Sequence, residues 1–425
     1  MSLAPAHRWW RAVPAMIAAL ALLAACGSQA QTIRPEHATR GSTVAHGRAG
    51  TPFSTSKQSS RAVRHYEYVF VDHAVYVYDA DHGQRLVMRR TLPGIAGIRG
   101  VAADIRTRAL YISYGGYGAG NDGSLARYDL VSNRVVWTRS YGRGVDSLAV
   151  GRDGTTLYLP DGELSTDGIW LVLNARTGAV VGRIEGGDGP HNTVVGVSGR
   201  RVYLGPRNSP YLTVASTATN RVIRRIGPLY SGVRPFTINA RETLAYTTAT
   251  GLLGFQVSSI RAGHVLYTVR PASRFGYDRA TFPYSAPSHG ISMSPDGRQV
   301  WLIDSPNSYV HVYGVTGVPG HPPRHLADIR LAHALTGTES ACRQDCGREG
   351  WLQHSLNGCF VYVGDAGDVL SGVSFRRVGY LPALRNSREM LEIDWRGGTP
   401  VATSTRTGLG YPRRSPPTRR KCAGA

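Results

Sequence analysis

Lysine is almost missing from this chain: among 425 residues it stands only at Lys57 and Lys421. Long stretches of helical periodicity are missing too, which argues against a helical bundle. The main apolar run, Val13 to Ala25, is shorter than the roughly 20 residues of a membrane-spanning helix. There is no Gly-x-Ser-x-Gly elbow and no compact Ser/His/Asp signature. The five cysteines show neither haem-attachment spacing nor paired zinc-ligand spacing. Together these absences remove the enzyme classes most easily read from sequence.

What is present is repetition. Gly is abundant at 51, and 22 Tyr outnumber 8 Phe, a composition suited to strands and tight turns. One copy runs Ser147 to Val150, Arg152-Asp153-Gly154, Leu157-Tyr158-Leu159, Ile169 to Leu173, Ala175 to Gly178 and Val180 to Ile184. Each copy is four apolar runs separated by turn residues, and four strands in roughly 40 residues make a β-propeller blade. Aligned on the second strand, the copies read Tyr111, Tyr158, Tyr203, Tyr246, Trp301 and Tyr362. The preceding turns are Asp153-Gly154, Ser198-Gly199, Asp296-Gly297 and Asn357-Gly358, residues that tolerate positive φ. Arg106-Thr107 and Arg241-Glu242 lack the Gly, and longer turns are expected there.

Six units start near Val101, Ser147, Asn192, Phe236, Gly290 and Leu352. Strand-like pieces remain at 66–91 and 390–402, and together they supply about four strands. A shared seventh blade closes the ring and removes its exposed edges. The expectation is an all-β, seven-bladed propeller of four-stranded antiparallel blades, spanning 65–411.

Arg152 to Leu159 and Ser294 to Trp301 resemble the repeat of the YVTN-type β-propeller family, as do the outer turns Asn174 to Gly178 and Thr217 to Asn220. The resemblance covers about 66–411. It implies a propeller of the kind found in surface-layer and periplasmic proteins, and it implies no particular activity.

The ends carry a separate message. Arg8 and Arg11 precede the apolar run, which ends Leu23-Ala24-Ala25-Cys26-Gly27. This resembles a bacterial lipoprotein signal over 1–25, with Cys26 as the lipidated first residue. Residues 26–64 read as a flexible tether and 412–425 as a disordered basic tail. The expected location is the cell envelope, lipid-anchored at the outer membrane or the periplasmic face. In an exported chain the other cysteines, Cys342, Cys346, Cys359 and Cys422, are disulfide candidates with three possible pairings. The net charge of +21 favours anionic partners. Codon bias accounts for Arg over Lys but not for the excess of positive charge, and export argues against nucleic acid as a partner.

Stepping back twelve residues from each second-strand aromatic gives Arg99, Asp146, His191, Arg234, His289 and Gly350. In a propeller this column lies where the chain enters the innermost strand, at one mouth of the channel. Asn192, Ser288, Trp351 and Glu389 stand beside it. Polar residues are ordinary at a wet mouth, but two Arg and two His concentrate donors suited to an anion. The ligand-binding candidates are therefore Arg99, Asp146, His191, Asn192, Arg234, His289 and Trp351. With a single aligned carboxylate beside two Arg, no metal or cofactor is expected. Insertions at 271–287, bearing Phe275, Tyr277, Phe282 and Tyr284, and at 332–350 should rise on the same face, with the Gly-rich loop 115–123. The expectation is a monomeric binding or interaction platform for an anionic small molecule or an envelope partner. The alternative is a lactonase-like hydrolase or a lyase with His191 or His289 as base.

Overall fold

A computed structural model describes residues 62–116, 122–338, 347–404 and 422. Its strands, numbered β1 to β29 along the chain, form seven antiparallel sheets. Six are meanders of consecutive strands: β4–β7 (98–140), β8–β11 (149–185), β12–β15 (190–226), β16–β19 (233–269), β20–β23 (291–330) and β24–β27 (351–380). The seventh combines β1 (Arg64–Val71), β2 (Ala74–Asp79) and β3 (Arg85–Thr91) with β28 (Glu389–Arg396) and β29 (Thr399–Thr403). The innermost strands follow one another from β4 through β24, Gln353 on β24 and Leu356 just after it bond Ser404 and Glu392 of the closing blade, and β28 of that blade adjoins β4. The chain is a seven-bladed β-propeller.

Packing between blades explains the repeat. Tyr111, Tyr158, Tyr203, Tyr246, Trp301 and Tyr362 are all fully buried, and Tyr68 joins them as the seventh member. Each buried aromatic removes roughly 150–250 Å² from water, so this column is the main adhesive between blades. The first hairpin of each meander turns at a left-handed residue. Gly154 and Gly199 take φ of 69° and 72°. The two turns without Gly are no longer than the rest, because Arg108 and Glu242 themselves take φ of 52° and 54°. Glu242 is held there by its carboxylate, which accepts bonds from Ser198 N–H (2.8 Å) and Tyr203 O–H (3.1 Å).

Two features go beyond the repeat. Every outermost strand pair carries a β-bulge. Bulges twist an exposed edge away from flat pairing with another sheet. The closing blade also holds a fifth strand. β29 pairs with the channel-facing edge of β28, and Ser404 just beyond it accepts from Glu392 N–H at 2.8 Å and from the Gln353 side chain on β24. A disulfide joins Cys359, in the turn between β24 and β25, to Cys422, across a Cα separation of 5.4 Å. Cys26, Cys342 and Cys346 lie outside the described residues.

Candidate functional site

The blade register defines the mouth. Each second-strand aromatic faces one residue of its inner strand: Tyr111 faces Ala102, Tyr203 faces Val194, Trp301 faces Ser292 and Tyr68 faces Leu391. Three residues before each facing residue lies a rim position. The seven are Arg99, Asp146, His191, Arg234, His289, Gly350 and Arg388. In the closing blade the register therefore selects Arg388, where the sequence pointed to Glu389. Gly350 is the one blank. It takes φ of +79°, and a Cβ there would lie 2.8 Å from Ile303.

The rim surrounds a cavity of about 250 Å³ lined by Arg99, Glu163, His191, Arg207, Arg234 and His289, among others. Glu163, in the loop between β9 (Thr156–Pro160) and β10 (Ile169–Asn174), is its negative centre. Arg99 donates to Glu163 at 2.9 Å and lies 3.4 Å from Asp146, and Arg207 also bonds Glu163. Burial pushes the Glu163 carboxyl up. Arg207, Arg99 and Arg234 outweigh that and hold it at about 2, so it is ionised. Opposite, Arg388 lies 3.3 Å from buried Asp365 and 3.7 Å from Glu349. Burial raises the Glu349 carboxyl despite Arg388 and Arg234.

Arg234, on β16 (Val233–Ile238), differs from the other arginines. It is 5% exposed, and no carboxylate lies within 4.0 Å of it among the described residues. Its partners are the hydroxyls of Thr250 (2.9 Å) and Ser285 (2.5 Å). Burial, with Arg207 adding, lowers its pKa to about 10, still charged at neutral pH. A buried guanidinium held by two neutral oxygens and opening on a cavity lacks only an anion.

The two histidines frame that space, with ring centres 6.1 Å apart and planes edge to face. His191 bonds Asn192 through Nδ1, and its Nε2 lies 3.5 Å from both Asp146 and Glu163. Burial drives its pKa well below 6.5, with Arg207, Arg234 and Arg99 adding and Glu163 opposing, so the ring is neutral. His289 meets Arg388 Nη1 at 3.1 Å through Nδ1. Asn192 is buried behind His191 and donates to Ser147 at 3.2 Å. Trp351 is fully buried edge-on to His289, so it braces the site from the core and does not line the cavity. Donor atoms of Asp146, Glu163 and His191 lie within 4.8 Å of one another, a spacing open to a metal. Arg99 and Arg207 already occupy those carboxylates, however, and would repel a divalent cation.

The insertions complete the wall. Tyr284 and Ser285 come from one, Gly347 and Glu349 from the other, and Tyr284 O–H reaches Gly337 O at 3.5 Å. Phe275 packs instead on Tyr309 and His311, away from the cavity, and residues 117–121 of the Gly-rich loop lie outside the described residues. Sequence reasoning missed Glu163, Arg207, Ser285, Glu349 and Arg388. A signal existed for two of them: Glu163 and Arg207 stand five and four residues after the aromatics of their own blades.

No family model and no curated protein matches this chain. Among solved structures, the chain is similar to one titled Kuenenia stuttgartiensis hydrazine synthase, at 15% identity and a TM-score of 0.50, covering 76% of this chain and 90% of that one. At that identity the likeness is one of fold.

Proposed function

We propose that this chain is an exported, lipid-anchored propeller that binds a small singly charged anion at the mouth of its channel. Arg234 is the principal contact, with Arg207, His289 and Ser285 around it. The observation that carries this reading is the buried Arg234 guanidinium without a carboxylate partner. The single charge follows from the surroundings. Asp146, Glu163 and Asp365 stand against Arg99, Arg207 and Arg388, and Arg234 is the guanidinium with no carboxylate within 4.0 Å among the described residues. A carboxylate completes neutrality, whereas a phosphate dianion overshoots it. The alternative, a hydrolase or lyase with a histidine base, asks more of the site. His191 Nε2 already faces two carboxylates, and His289 Nδ1 faces Arg388. Calorimetric titration with small monocarboxylates, inorganic phosphate and the matching neutral amides tests the reading. Monocarboxylates should bind, and both Arg234→Met and the double variant His191→Ala/His289→Ala should lose that binding. Unchanged affinity in either variant overturns the proposal.

Export rests on the Arg-flanked apolar run ending at Cys26, and the Cys359–Cys422 disulfide suits an oxidising compartment. Labelled palmitate should enter the wild-type chain in cells and not Cys26→Ser.

A further inference from the structure

One rung of the blade ladder is filled without charge in six blades and with two acids in the seventh. It lies immediately beside the aromatic pair. Leu110 faces Ala103, Leu157 faces Val150, Val202 faces Val195, Ala245 faces Ile238, Val300 faces Met293 and Val361 faces His354. In the closing blade Glu67 faces Glu392. Both are fully buried, and neither oxygen of Glu67 meets a hydrogen-bond donor among the described residues. Glu392 Oε2 accepts from Leu356 N–H, while Oε1 stands 3.3 Å from His65 Nδ1 without an aligned bond. The next rung on the same face pairs His65 with Asp394, Nδ1 to Oδ1 at 2.7 Å. Side chains alternate along a strand, so the four form a two-by-two array on one face of β1 and β28.

Like charges directly opposite destabilise a strand pair, and a dry carboxylate without a partner is costlier still. Three carboxylates, Glu67, Glu392 and Asp394, stand against the single imidazole of His65, so the array holds more anionic groups than cationic ones. A single proton on Glu67 leaves its other oxygen without a donor. Donor atoms of His65, Glu392 and Asp394 lie within 4.8 Å of one another, and the His65 side chain, 25% exposed, gives entry from solvent. One imidazole with carboxylates suits a first-row divalent ion better than magnesium or calcium, which prefer oxygen alone.

The geometry points to a zinc or manganese site formed by His65, Glu392 and Asp394, with the unpartnered Glu67 facing Glu392 beside it, fastening the N-terminal strand of the closing blade to the C-terminal one. The test uses the full mature chain, stripped with EDTA and titrated with Zn²⁺ or Mn²⁺ by calorimetry and thermal unfolding. One equivalent should bind and raise the unfolding midpoint. Glu67→Gln and Asp394→Asn should each weaken binding about tenfold or more. His325→Ala should leave it unchanged; that residue belongs to a separate cluster with His311 and Asp328. If Glu67→Gln fails to fold, His65→Ala at the quarter-exposed ligand carries the same comparison. Three results overturn the site: a midpoint indifferent to both metals, binding lost only with His325→Ala, or a metal-indifferent protein that Glu67→Gln stabilises, which would mean that the array holds a proton.

Discussion

Two columns of the same repeat, three rungs apart, behave in opposite ways. The second-strand column is Tyr in six blades and Trp in one, and every member is fully or almost fully buried. The rim column changes in chemistry from blade to blade: Arg99, Asp146, His191, Arg234, His289, Gly350, Arg388. The first column must fit a neighbouring blade, so shape restricts it to one kind of side chain. The second faces a shared space, where any residue is tolerated if its charge is balanced. The difference separates what holds the ring together from what the ring is able to hold.

The comparison breaks if the two columns cost the same to disturb. Trp301→Ala empties a fully buried site and should cost about 3–5 kcal/mol, read as a lower urea midpoint. His289→Ala at the rim should cost clearly less, and equal losses would erase the distinction. Removing the Cys359–Cys422 bridge with Cys422→Ser should cost about 2–4 kcal/mol, since the closed loop spans 63 residues. That loss belongs to the scaffold, so anion binding by the folded variant should persist.

Acid sharpens the comparison. The Glu163 carboxyl is lowered in the folded chain, from 4.5 to about 2. Its contribution is therefore fully present above the unfolded value and is lost as pH falls through the folded one. Urea unfolding at stepped pH should show stability falling between about pH 4.5 and 2, and Glu163→Gln should flatten that slope. The smallest effect has the opposite sign to the first. Arg234→Met removes a buried charge without a carboxylate partner, and stability should rise by about 1 kcal/mol or stay level while anion binding disappears. A large loss of stability would show that Arg234 serves the scaffold.

The sequence disclosed the ring because its signals are local. A turn ending in Gly, a Tyr or Trp four residues on and an outer turn recur within one blade, and the leftover strands at the two ends have only one economical use. The rim was legible wherever it could be reached by counting within a blade, as for Arg99, Asp146, His191, Arg234 and His289. Arg388 was hidden because the aromatic that sets its register, Tyr68, lies at the other end of the chain. Glu163 and Arg207 sit on loops after the second strand, where counting backward never arrives. Ser285 and Glu349 come from insertions that have no repeat to align. β29 was unreadable for another reason: Pro400-Val401-Ala402 looks like any blade strand, and nothing local says that it pairs on the channel side of β28.

The joint between β1 and β28 sets an order of events in time. His65 and Asp394, bonded across it, are 329 residues apart. As the ribosome makes the chain, the first strand waits with an open flank until the 329 residues that separate the bonded pair have emerged. No partial chain that lacks β28 can finish the circle, so the mouth assembled from all seven blades exists only after that strand has emerged.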